Sequence, residues 1–139
     1  MIFLDTSSAI QILNGNPSIG EAYEKFDTNQ FGITTPSIFE LYNGIYKVKY
    51  LKKKISKQRY KKINEDLEIL VKQLNVYSLD EKAANLGAKI HMQLKGKGQE
   101  IEIFDCLIAA IIISNGLKEI ITNNQKHFEK IKGLVLYSF

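Results

Sequence analysis

Apolar residues along this chain recur in two distinct rhythms. Short, largely apolar runs at Met1 to Leu4, Phe31 to Thr34, Val76 to Leu79, Glu119 to Thr122 and Leu134 to Tyr137 suit strands buried in a sheet. Between them apolar residues return every three or four positions, the period of a helix with one buried face. Ser7 or Ser8 is placed to cap a helix through Leu13, which Gly15-Asn16-Pro17 ends. A second helix is predicted over Ser18 to Asp27. Pro36 and Ser37 open a third, which carries Phe39, Leu41, Ile45 and Val48 and has its proline where a missing N–H costs little. Tyr60, Ile63, Leu67, Leu70 and Leu74 keep the helical period through Ile55 to Gln73, and Lys47 to Gln73 reads as a helical hairpin.

Asp80 is placed to cap a helix with Ala83, Leu86, Ile90 and Leu94, closed by Lys95-Gly96-Lys97-Gly98. Glu102 to Ser114 follows, ended by Asn115-Gly116, where the glycine suits a left-handed C-cap. A short helix over Gln125 to Ile131 precedes the last strand. Short strands alternating with helices predict an α/β fold with a central, mostly parallel β-sheet flanked by helices, plus the hairpin. No repeat, low-complexity tract or linker divides the chain, and 139 residues suit one domain over 1–139.

Charge sharpens the picture at one place. The net charge is only +4, but nine of the nineteen basic residues fall between Lys47 and Lys62 with no acid among them. That leaves ten bases against fifteen acids elsewhere, a remainder of −5. A basic arm on an acidic body is the electrostatic footprint of a polyanion binder, and its bland counterpart is a solvated helical face. Lys47, Lys52, Lys53, Lys54, Lys57 and Arg59 are the candidate contacts to nucleic acid or a partner. Tyr46, Tyr50 and Tyr60 are able to stack on bases, although core packing is the ordinary use of such residues.

Other features exclude. The amino end, broken by Asp5 and lacking a basic stretch, does not read as a signal peptide. The apolar run from Leu107 to Ile113 is too short to span a bilayer, so no membrane role is expected and the cytoplasm is the expected compartment. The lone Cys106 has no disulfide or metal companion and reads as a small buried hydrophobe. There is no Gly-rich phosphate loop and no nucleophile elbow.

Carboxylates carry the candidate chemistry. Asp5 is the first residue past an apolar strand, and in an open parallel sheet the ligand crevice lies outside the carboxyl ends of the strands. Thr6 and Ser7 add hydroxyls there. An Asp turn or helix cap is the plain alternative. Asp105 sits in IFDCLIAAIII, a helix apolar on nearly every face, where an ionised acid needs a cation or several donors. Glu102 lies three residues earlier on the same side, near a helix start that favours anions. Glu40 has a rival explanation, because Ser37-Ile38-Phe39-Glu40 matches a capping box. Thr122-Asn123-Asn124 ends another predicted strand, on the edge that carries Asp5. Acids with hydroxyl and amide oxygens, and no Cys or His cluster, define a site for Mg²⁺ or Mn²⁺ rather than zinc. His91 and His127 read as isolated surface or packed histidines.

Taken in order, MIFLDTSSAI, TTPSIFELYNGI, EIFDCLIAA and ITNNQKHFEKIKGL resemble the PIN-domain family, and within it the VapC-like toxins of type II toxin–antitoxin systems. The resemblance covers essentially the whole chain. It implies a three-layer PIN-like fold and a Mg²⁺-dependent endoribonuclease with an RNA substrate, a cognate antitoxin and a homodimeric state. Matched by motif, Asp5, Glu40 and Asp105 take the first three acidic positions and the metal-holding role, with Thr6, Glu102, Thr122 and Asn124 in support. The family's fourth acid is replaced here by the neutral Asn124, so at least one metal is expected rather than a firmly held pair. A cation held by Asp5 and Asp105, with Glu40 direct or through water, would orient a scissile phosphate and activate water for in-line attack. Clustering these acids is expected to raise at least one pKa. Two further readings remain open: a non-catalytic nucleic-acid or partner-binding PIN module, and a housekeeping RNA-processing nuclease.

Overall fold

The computed structural model describes residues 1–26, 30–52 and 54–139. Five short strands, β1 (Ile2–Leu4), β2 (Phe31–Thr34), β3 (Asn75–Tyr77), β4 (Glu119–Ile121) and β5 (Val135–Tyr137), form one sheet in the order β3-β2-β1-β4-β5. Every neighbouring pair is parallel. Parallel neighbours require crossover connections, and here those are helices that bury both faces of the sheet.

Side chains alternate across a strand, so β1 feeds two cores. Ile2 and Leu4 pack with Ala9, Ile19, Leu41, Leu67 and Leu70 from α1 (Thr6–Leu13), α2 (Pro17–Glu24), α3 (Thr35–Lys47) and α4 (Lys57–Gln73). Phe3 points the other way, into Ile90, Leu94, Ile108, Ile112 and Phe128 from α5 (Glu81–Gly96), α6 (Ile103–Ser114) and α7 (Gln125–Phe128). The result is the expected three layers. Gly87 lets α5 approach α6 closely, since a Cβ there would meet Leu107 Cδ2 at 2.9 Å. Cys106 is buried as expected, and burial, with the nearby Asp105 charge, pushes its thiol up to about 11. Gly116 has φ +73°, the left-handed cap read from Asn115-Gly116.

Several boundaries differ from expectation. β3 begins at Asn75 rather than Val76, and α7 stops at Phe128 rather than Ile131. The hairpin is also arranged differently. Its first arm is α3 itself, prolonged through a π-helical turn at Val48–Lys52, and its second is α4. The break between the arms comes where Ser56 Oγ accepts from the Arg59 N–H at 3.1 Å and starts a new helix. Lys47 therefore lies within the first arm instead of opening the hairpin. Lys53, and Asp27 at the predicted end of the second helix, lie outside the described residues. Among the described residues no helix is long and apolar enough to cross a membrane.

The strand order positions the site. From β1 the chain builds outward to β2 and β3, then returns past β1 to add β4 and β5 on the other side. The connections leaving β1 and β4 diverge, which opens a crevice at their carboxyl ends.

Candidate active site

Asp5 follows β1 at that crevice and is almost fully buried, with 2% of its surface exposed. It caps α1: Oδ1 accepts from the Ser8 N–H at 2.8 Å, with Ser8 Oγ at 2.7 Å. Ser7 Oγ bridges both carboxylate oxygens at 2.8 and 2.9 Å. Thr122, buried at the end of β4, donates from Oγ1 to Oδ2 at 2.5 Å while accepting the Asn124 N–H at 2.8 Å. The plain reading of Asp5 as a cap is thus correct, and it accompanies the placement at the crevice rather than replacing it.

Glu40 is not part of a capping box. The N-cap of α3 is Thr34, whose Oγ1 faces the Ser37 N–H at 3.5 Å, so Ser37 lies inside the helix and Glu40 is a turn too far along to reach back. Instead Glu40 Oε1 accepts from Thr6 Oγ1 at 2.7 Å, a bond linking the first turn of α1 to the second turn of α3. Burial raises the Glu40 pKa, against the Thr6 hydrogen bond, and the charges of Asp105, Glu102 and Asp5 add to the rise.

Asp105 lies in the first turn of α6 and is 8% exposed. Its Oδ2 is 2.6 Å from His127 Nδ1 and 3.4 Å from Asn124 Nδ2. Desolvation raises its pKa, the hydrogen bond and charge of His127 oppose that, and Asp5 and Glu102 raise it further. Glu102 is the N-cap residue of α6 but makes no side-chain capping bond, and its side chain is exposed.

Asp5, Thr6, Glu40, Glu102, Asp105 and Asn124 all line one cleft of about 370 Å³, together with Ser7, Ile10, Phe104 and His127. Thr122 stands beneath it, holding Asp5. The basic candidates Lys47, Lys52, Lys54, Lys57 and Arg59 do not reach the cleft; they are exposed on the hairpin. His127 corrects the sequence reading. It looked isolated because its partner is 22 residues away in the chain. Its place one turn past Asn124, in the helix after β4, was the available signal.

The donor set is oxygen-rich and anionic, which matches a hard divalent cation. Burial and mutual repulsion of the acids leave a deficit of positive charge that such a cation would fill. As the side chains are placed, no three His, Cys, Asp or Glu among the described residues close around a single point. Asp5 is turned to its hydroxyls, Asp105 to His127 and Glu40 to Thr6.

A family model described as PIN domain matches residues 2–134. The tRNA(fMet)-specific endonuclease VapC of Shigella flexneri is 29% identical over 133 residues, covering 94% of this chain and 92% of that protein. Among solved structures, DNA-bound VapBC from Salmonella typhimurium aligns with TM-score 0.81 and 28% identity over 99% of this chain and 98% of that one. VapBC2 from Rickettsia felis, bound to a promoter DNA fragment, aligns with TM-score 0.82 and 26% identity over 100% and 99%.

Proposed function

The chain belongs to the PIN-domain family, and from that premise we propose that it is a metal-dependent endoribonuclease, the toxin of a VapBC-type toxin–antitoxin pair. One observation carries the reading: Asp5, Glu40, Glu102 and Asp105 meet at one cleft on the carboxyl edge of the sheet. We assign Asp5, Asp105 and Glu40 to hold Mg²⁺, with Mn²⁺ as a substitute and Glu102 in support. The protein works as one domain over 1–139, as a homodimer in the cytoplasm, with a cognate antitoxin as partner. By analogy with the Shigella protein, a tRNA is the first substrate to test.

When bound, the cation supplies charge neutralisation at the phosphate and activation of the attacking water. The residues supply the rest. Thr122, Ser7 and Ser8 keep Asp5 in one orientation, and Thr6 does the same for Glu40. Glu40, held by Thr6 beside the other acids of the cleft, is placed to share the cation directly or through a water. His127 orients Asp105, and the protonated ring would offset part of its charge.

Cleavage of RNA by the purified protein in the presence and absence of Mg²⁺ tests the reading. Asp105→Asn and Asp5→Asn are expected to abolish Mg²⁺-dependent cleavage with the fold retained; persistent cleavage in both would sink it. A second reading, a binding module without catalysis, rests on Asn124, a neutral donor to Asp105 at the position of the family's fourth acid. It predicts salt-sensitive RNA binding with no metal requirement. A small reading frame immediately upstream would favour a toxin over a housekeeping nuclease.

A further inference from the structure

The hairpin carries aromatic surface that neither a packed core nor a solvated arm requires. Phe39, Tyr42 and Tyr46 fall at i, i+3 and i+7 on α3, along one helix face. The Tyr46 ring is centred 6.2 Å from that of Tyr42 and 6.2 Å from that of Tyr50, which continues the row into the π-helical turn. At the other end Phe39 stacks on Phe104, with centroids 5.5 Å apart and planes 8° from parallel. Phe104 lines the acid cleft beside Asp105. Three of its rings are open to solvent, Phe39 at 56% exposed, Tyr46 at 43% and Tyr50 at 61%, while Tyr42 packs against the core beneath. An aromatic stripe therefore runs from the cleft to the hairpin tip.

The tip is also where positive charge is left over. On α4, Lys61 is answered by Glu65 at 3.9 Å and Lys62 by Asp66 at 3.3 Å. Among the described residues Lys47, Lys52, Lys54, Lys57 and Arg59 form no ion pair. Lys49 sits 4.2 Å over the Tyr60 ring and 5.4 Å from that of Tyr50, bracing the tip. Exposed rings and uncompensated cations on one hairpin match one ligand chemistry better than others. A duplex offers phosphates but hides its base faces. An apolar protein segment covers rings but leaves the cations unanswered. A single strand of RNA supplies both flat bases and phosphates.

We propose that the exposed rings of Phe39, Tyr46 and Tyr50, with the unpaired cations of the hairpin tip, form a single-stranded RNA track from the acid cleft to the hairpin tip. Bases stack on the rings and phosphates face the lysines. The helix rise from Phe39 to Tyr50 is about 16 Å, room for a few nucleotides. The track deepens, and rests on, the ribonuclease reading, since it delivers a flexible strand to the acids.

The test uses the full chain carrying Asp105→Asn and a short single-stranded oligoribonucleotide containing 2-aminopurine. Replacing Tyr46 and Tyr50 together by alanine is expected to weaken binding about tenfold for each ring lost and to change the 2-aminopurine fluorescence of the complex. Phenylalanine at both positions should restore both readouts, and binding of the same sequence as a duplex should be unaffected by either pair. Undiminished single-strand binding in the alanine pair overturns the track. So does a changed molecular mass in solution with RNA affinity unchanged, because the stripe would then be covered by protein. The two readings fail separately. If the unaltered chain cleaves no RNA but binding still depends on the rings, the track stands without the nuclease. If it cleaves while binding ignores the rings, the nuclease stands without the track.

Discussion

Asp5 and Asp105 line the same cleft and are both buried, yet the protein holds them in opposite ways. Asp5 is surrounded by donors belonging to the fold: the Ser8 N–H and the hydroxyls of Ser7, Ser8 and Thr122. Asp105 has one close partner, His127, and one long contact from Asn124. Desolvation outweighs those partners and leaves its pKa raised. Burial alone therefore does not mark a functional acid. What separates the two is whether the fold completes the solvation of the charge or leaves it to something that binds.

The largest expected contrast is between activity and stability. Asp105→Asn should lower Mg²⁺-dependent cleavage by about 100-fold or more, while shifting unfolding free energy by less than about 1 kcal/mol. Asp5→Ala should lose activity and also about 2–4 kcal/mol of stability, because a cap disappears and buried hydroxyls lose their acceptor. Urea unfolding beside single-turnover cleavage measures both. Equal stability losses in the two variants would break the comparison.

Cation binding should come next in size. If Asp105 awaits external charge, Mg²⁺ at about 100 times its Kd stabilises the folded state by about 2.7 kcal/mol, seen as a rise in Tm. Asp105→Asn should remove most of that rise, and Ca²⁺ serves as a non-activating control. A rise that persists in the variant would place the ion elsewhere.

Asn124→Asp sharpens the contrast from the other side. It swaps an amide donor to Asp105 for a second negative charge, restoring the acid that the family pattern has there. The cation-free protein should lose about 1 kcal/mol from like-charge repulsion, and Mg²⁺ should bind about tenfold more tightly by calorimetric titration. Unchanged affinity would mean that residue 124 does not share the ion.

These contrasts also show what the sequence made legible. The strand end at Leu4 and, to within one residue, that at Ile121 were readable from apolar runs, and with them the placement of Asp5 and Thr122 on one edge. Asp105 was readable because an acid inside IFDCLIAAIII conflicts with its surroundings. Glu40 was misread at the local level: Ser37 and Glu40 have capping-box spacing, but Thr34 at the strand end takes the cap one residue before the helix starts. Local spacing cannot say which of two nearby hydroxyls begins a helix. His127 was missed for a different reason. Its significance is a contact across 22 residues, and nothing about its neighbours announces that. The hairpin arms were displaced because the lysines at its tip carry no apolar period from which a boundary could be read.

The smallest effect is the most direct probe of how Asp105 is held. A carboxyl whose folded pKa is raised binds more protons in the folded state than in the unfolded one, so stability falls as pH rises between the two pKa values. For Asp105 and Glu40 that interval starts near the ordinary carboxylate range, about 4, and extends up to their raised folded values. Below it both states are protonated and the penalty is absent; above it the full penalty is present. Asp105→Asn removes the Asp105 share. Without Mg²⁺, the stability of the variant relative to the unaltered chain should therefore rise as pH is taken from below 4 to neutrality, then level off. Glu40→Gln should show a smaller rise, because Glu40 is only half-buried and keeps the Thr6 bond. Urea unfolding across a pH series reads both slopes. A relative stability for Asp105→Asn that falls with rising pH would mean that His127 and Asn124 already compensate the charge, and that Asp105 is held as fully as Asp5.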